Sequence, residues 1–236
     1  MESRGNPPEQ PSPLKQPGRP EQPTQPIRRS YRSARRQEQA RRTRDRILAA
    51  ATQQFLAAGY AGTTVRAVAG AAGVSVPTVE AAFGTKARLL KAAIDVATAG
   101  DDTPVAMLDR AWAVRAQART DAGGFVAEFA ATLTTSARRA AGLVLAALDA
   151  APLDEEIGAV AAQMAAQREV MAAWLVDGLA RRGSLRDGLD RAEAIDTVWL
   201  LMDPAVFTRL TGSRGWPPAR FQAWFADSLL RLLQPA

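Results

Sequence analysis

Five hydroxyl side chains and one ammonium punctuate the stretch TTVRAVAGAAGVSVPTVEAAFGTK, residues 63–86: Thr63, Thr64, Ser75, Thr78, Thr85 and Lys86. Ser75, Val76, Pro77, Thr78 and Val79 form a run of small hydroxyl and methyl groups. Such groups suit hydrogen bonds to base edges and packing on thymine methyls better than bidentate reading of guanine, for which an Arg would be needed. Thr63, Thr64 and Lys86 fall where helices should begin, and unpaired backbone N–H groups at a helix start already favour an anion. Arg42, Thr43 and Arg46 add cations and a hydroxyl at the expected start of the first helix. Each residue also has a plainer use: the threonines as helix caps, Lys86 as a solvated charge.

The elements that would hold these groups are legible from periodicity. Ile47, Leu48, Ala51, Phe55 and Leu56 recur at helical spacing up to Gly59. Thr63 or Thr64 caps a short helix with Val65, Val68 and Ala69. AAGVS breaks that helix, Ser75 caps the next, and Thr85 caps a longer one through Leu89, Leu90, Ile94 and Val96. Two short helices joined by a tight Gly-containing turn make a helix-turn-helix, in which the second helix enters the major groove.

Composition excludes much else. The 236 residues contain no Cys and no His, which removes disulfides, thiolate chemistry, Cys/His zinc sites and the commonest general base. No paired-carboxylate or Gly-rich phosphate motif stands out, so no catalytic residue, metal or cofactor is expected and the chain does not read as an enzyme. No apolar run approaches the roughly 18–20 residues of a membrane span, and the N-terminus lacks a signal peptide's apolar block, so a cytoplasmic location is expected. Residues 1–46 carry 12 Lys+Arg against 5 Asp+Glu, and the remainder 18 against 19. The whole basic excess lies at one end, which points to a polyanionic partner for that end. Eight prolines up to Pro26 and few large apolar residues mark 1–37 as a disordered arm. It is followed by a helix-turn-helix domain over 38–99.

From Pro104 the chain is Ala/Leu-rich and helical in period, with helices expected near 104–119, 122–136, 138–150, 153–182, 189–211 and 217–234. The fold class is all-α, with residues 104–236 a separate helical domain. The apolar positions of 153–182 and 189–211 suit either a four-helix interface between two copies or a single intramolecular core.

Over Arg44–Asp95 the sequence resembles the N-terminal domain of TetR-type transcriptional regulators. The shared features are an Ile/Leu-Ala-Ala first helix ending Phe-x-x-x-Gly-Tyr, the Thr-Thr pair, Ala-Gly-Val-Ser at the turn, Phe-x-x-Lys, and the closing Leu-Leu. The resemblance implies a sequence-specific DNA-binding regulator, a repressor released by a small-molecule effector, and a homodimer formed by the long helices near 153–182 and 189–211. It also implies an effector pocket in the second domain, for which Leu90, Ile94, Trp112, Phe125, Phe129, Leu133, Met171 and Trp174 are the candidates. With no His and few charges among them, they suit an apolar or weakly polar molecule. One position departs from the family pattern: Glu80 stands where a phosphate-contacting Tyr is usual, and Ala82 where a His is frequent. Either the Arg-rich arm restores the affinity that Glu80 removes, or the protein binds a ligand or partner with weakened operator reading.

Overall fold

The computed structural model describes residues 27–235. The chain divides at Ala40/Arg41 into an N-terminal segment and a body. The described residues are helical with no strand.

Helix α1 (Ile27–Gly62) starts directly behind Pro26, the last proline before Pro77. Residues 27–37, assigned from sequence to the disordered arm, are helical here, because after Pro26 nothing breaks a helix and the Arg/Gln/Ala run consists of good helix formers. The rest of the arm, 1–26, lies outside the described residues. Arg42, Thr43 and Arg46 consequently sit within α1 instead of at its start, and offer side chains without unpaired backbone N–H groups. The helix is broken at Gly59, whose φ of 67° is open to glycine at little cost.

Helix α2 (Val65–Ala72) is capped by Thr64, α3 (Val76–Phe83) by Ser75 and α4 (Lys86–Ala99) by Thr85. Gly73 closes α2 in the left-handed region, which sets the turn between the two short helices.

The remaining helices are α5 (Ala111–Gln117), α6 (Ala122–Ala150), α7 (Glu155–Ala180), α8 (Arg191–Leu201), α9 (Pro204–Thr208) and α10 (Pro218–Leu233). Three boundaries differ from the sequence reading. Residues 122–150 form one helix, since no glycine or proline stands near 137 to divide it. The expected helix 189–211 is broken at Asp203, which is extended before Pro204 and caps α9. The stretch after Pro104 becomes α-helical only from Ala111, after a single 3-10 turn at Met107–Asp109, because the Arg110 side chain bonds the carbonyls of Thr103 and Val105 and holds the start of the stretch extended.

Two hydrophobic cores result. One joins α1–α4 to Leu143, Ala147 and Ala150 of α6 and to Ile157 and Val160 of α7. The other joins α5 and α8–α10 to the first half of α6 and the second half of α7. Helices α6 and α7 therefore run through both. Their close approach depends on Gly178, where a Cβ would lie 2.1 Å from Cζ of Phe125.

Candidate functional site

The outer face of the helix-turn-helix follows from which side of α3 is buried. Val79 and Phe83 point into the core, 2% and 8% exposed, and Val76 packs partly against it. Pro77, Glu80 and Ala81, spaced three and four apart, form the outward stripe. Ser75 is exposed and Thr78 half-buried; their hydroxyl oxygens lie 2.8 Å apart while Ser75 Oγ accepts from the Thr78 backbone N–H. Of the five residues expected to read bases, Ser75, Pro77 and Thr78 thus reach the surface. Val79 does not: its side chain is core, as its four-residue spacing from Phe83 could have signalled.

The anion-contacting set also divides. Thr64 is exposed and its Oγ1 accepts from the Ala67 N–H, capping α2. Thr63 is only 1% exposed, and its hydroxyl lies within donating distance of the carbonyls of Gly59, at 2.7 Å, and Gln54, at 3.0 Å. It secures the broken end of α1 and cannot touch a ligand outside. Lys86 donates through Nζ to the carbonyls of Tyr60 and Thr63 and stands 4.0 Å from the centre of the Tyr60 ring. Its ammonium ties α4 to the end of α1, leaving at most one donor for a phosphate. Arg42 and Arg46 are exposed and Thr43 is half-buried. Arg66, not singled out from sequence, is exposed in the first turn of α2 beside Thr64.

Helix α4 is held at both ends. Near its start, Thr85 Oγ1 donates to Glu156, and Tyr60 Oη donates to Asp154, the cap of α7. The backbone N–H of Ile157 and the Tyr60 hydroxyl hold the Asp154 carboxyl below the usual carboxylate range, while burial pushes the Tyr60 phenol well above its ordinary value. At its end, Arg139 and Ser136 of α6 bond the last carbonyls, Ala97 and Thr98, where a cation also suits the helix dipole.

Beyond α4 lies a cavity of about 930 Å³, walled by α4, the loop 101–108, and parts of α5, α6, α7, α9 and α10. Of the eight candidates, Ile94, Trp112, Phe129, Leu133 and Met171 line it. Leu90, Phe125 and Trp174 do not. Leu90 is fully buried in the first core. Phe125 is covered by Gly178 and by the Arg182 guanidinium, and Trp174 packs on Phe125 and edge-on to Trp112. These large side chains fill space against one another and leave none for a ligand.

The wall also holds four carboxylates that sequence reasoning missed, each paired with a cation. Asp95 accepts from Lys91 at 2.6 Å, Asp101 from Arg110 at 2.8 Å, Asp102 from Arg44 at 2.5 Å and Asp203 from Arg168 at 2.8 Å. Arg110 holds the Asp101 carboxyl well below the usual carboxylate range. Only the Lys91–Asp95 pair, four apart on a helix, had a sequence signal.

Residues 47–93 match the family model of bacterial regulatory proteins, tetR family. That match falls within the helix-turn-helix head, which is therefore similar to the domain this model describes. No curated protein matches the chain by sequence. Among solved structures, a regulator described as putative from Saccharomonospora viridis, in complex with choline, superposes with a TM-score of 0.62 at 18% identity, over 82% of this chain and 98% of that one. The transcriptional regulator FadR from Bacillus subtilis, in complex with stearoyl-CoA, gives 0.61 at 16% identity over 79% and 97%. A regulator likewise described as putative, from Pseudomonas aeruginosa, gives 0.61 at 17% over 80% and 88%. The chain thus has the TetR-like fold, a helix-turn-helix head followed by a helical second part. No described helix is long and apolar enough to cross a membrane.

Proposed function

We propose that this protein is a sequence-specific DNA-binding transcriptional regulator, a repressor released from its operator when a small molecule fills the cavity. One observation carries the reading: the single helix α4 belongs to both sites. Its first half, with Ala87, Leu89 and Leu90, is core of the TetR-type head, and its second half, with Ile94 and Val96, walls the cavity. A ligand that fits one position of α4 better than another shifts the head by that difference in affinity.

Backbone phosphates are contacted by Arg42, Arg46, Arg66 and Thr64, with Ser75, Pro77 and Thr78 toward the bases. The effector is uncharged and apolar or weakly polar, because every carboxylate in the cavity wall already has its cation. The working form is a homodimer joined through α7 and α8, where Val170 and Leu200 are 61% and 60% exposed.

Selecting bound fragments from the source genome with the full chain, at two salt concentrations and with and without candidate effectors, tests the proposal. A palindromic site, bound more weakly when an effector is present, is expected. Binding that is only non-specific and steeply salt-dependent would overturn it. The outward carboxylate of Glu80 favours a second reading, a ligand-binding protein of the same fold with weakened operator reading, and the same selection separates the two.

A further inference from the structure

The reading face carries one feature that neither caps nor phosphate contacts explain. Glu80 stands at the centre of the outward stripe of α3, between Pro77 and Ala81, and is exposed. Among the described residues its carboxylate has no hydrogen-bond or ion-pair partner. The nearby arginine Arg44, whose guanidinium lies 4.6 Å from the centre of the Phe83 ring, is committed to Asp102. The flanking side chains are small, so nothing on the helix screens the carboxylate from a surface placed against it.

A carboxylate accepts and never donates when ionised. On a surface pressed against a polyanion it is repelled by phosphate and by most of what the major groove shows. Guanine offers N7 and O6 as acceptors, and thymine offers O4 and a methyl group. The donors available are the N4 amino group of cytosine and the N6 amino group of adenine. Adenine sets the acceptor N7 beside its amino group, which opposes the second carboxylate oxygen. Cytosine has only a C–H at the corresponding place.

We propose that Glu80 is a specificity-determining residue that accepts a hydrogen bond from the N4 amino group of a cytosine in each half-site. The inference rests on the operator-reading function proposed above. It turns Glu80 from a defect into a filter: the cost of bringing a carboxylate to DNA is offset only where a cytosine stands opposite. Affinity for other sequences is lowered, and the exposed cations of α1 and α2 supply attraction that does not depend on sequence.

The test is selection from randomised duplexes with the full-length wild type, Glu80→Gln and Glu80→Ala, followed by affinity measurements on single-base-pair variants of the selected site. The wild type is expected to select one cytosine in each half-site and to lose about tenfold or more in affinity when that pair is changed. Glu80→Gln is expected to move the preference at that position towards adenine, whose N6 and N7 suit an amide, and Glu80→Ala to lose preference there while binding non-specific DNA more tightly. If both variants keep the wild-type preference at every position and change affinity equally for all sequences, Glu80 acts on phosphate alone and the inference is overturned. If the wild type selects no common site, the operator-reading function fails, and this inference fails with it.

Discussion

Arg44 of α1 donates through Nε to Oδ2 of Asp102 at 2.5 Å, and its guanidinium carbon stands 4.6 Å from the centre of the Phe83 ring at the end of α3. Asp102 is part of the cavity wall and Phe83 part of α3, the helix proposed to read DNA. One side chain thus spans from the cavity to α3 without passing through α4. Removing the carboxylate should weaken the communication more than the binding. Asp102→Asn is expected to keep effector affinity within a few-fold while reducing the effector's effect on operator affinity. Fluorescence anisotropy of a labelled operator, titrated with and without effector, checks this. An unchanged effector response in the variant would mean that α4 alone carries the signal.

Thr63 and Thr64 are adjacent and alike, yet the structure gives them opposite surroundings. Thr63→Val leaves the carbonyls of Gly59 and Gln54 without their hydroxyl donor and should cost about 1–2 kcal/mol of stability, with the salt dependence of DNA binding unchanged. Arg46→Ala should do the reverse, lowering the salt slope by about one with little change in melting temperature. Thermal melts and salt titrations of the two variants form a crossed test.

These pairs show how much was legible in the sequence. The caps Thr64, Ser75 and Thr85, the Gly73 turn and the all-helical second part follow from local rules, because a cap acts within three residues. Which of two neighbouring threonines faces inward depends on the break at Gly59 and on core residues far along the chain. The partners of Arg44 and Arg168 are 58 and 35 residues away, which no local pattern reveals. For the cavity, residue type was a partial guide: Trp112 and Phe129 reach it, whereas Phe125 and Trp174, equally aromatic, fill space against each other. The break at Pro204 was readable, since the residue before a proline disfavours helix.

Gly178 admits no side chain without displacing Phe125. Gly178→Ala is expected to lower stability by about 1–3 kcal/mol through overpacking, even though alanine is the better helix former. For a chain of this size that corresponds to a fall in melting temperature of about 2–4 °C per kcal/mol. A rise would show that Phe125 can turn aside at no cost.

The apolar side chains of Val170 and Leu200 are exposed on the two helices proposed to meet a second copy. Val170→Asp combined with Leu200→Asp should convert a species of twice the chain mass into one of the chain mass in sedimentation. Operator affinity should fall with it, because a palindromic site is then met by one head at a time. A double variant that stays dimeric would place the interface elsewhere.

Acid should loosen the fold from the side of its carboxylates. Asp101, Asp121, Glu128, Asp154 and Asp177 are all held below their ordinary values by hydrogen bonds from arginines, the Tyr60 hydroxyl and backbone N–H groups. A carboxylate lowered in the folded state contributes stability that is complete above its unfolded value, about 4, and is lost as the pH falls through the lower folded value. The melting temperature is therefore expected to be level above about pH 5 and to fall below about pH 4, with a shallower fall for Asp154→Asn. Parallel curves for the variant and the wild type would remove Asp154 from the group.

The passage of α6 and α7 through both cores decides how the molecule can be dissected. Leu143, Ala147, Ile157 and Val160 finish the interior of the head although they lie some fifty residues beyond its last helix. A fragment ending near Gly100 would leave that interior open on one side, so the smallest piece that can be excised with its reading surface intact extends through α7. The same continuity is expected to couple the melting of the two cores, so that a molecule bound in the cavity registers in the unfolding of the head and effectors can be screened by heat alone before any operator is known.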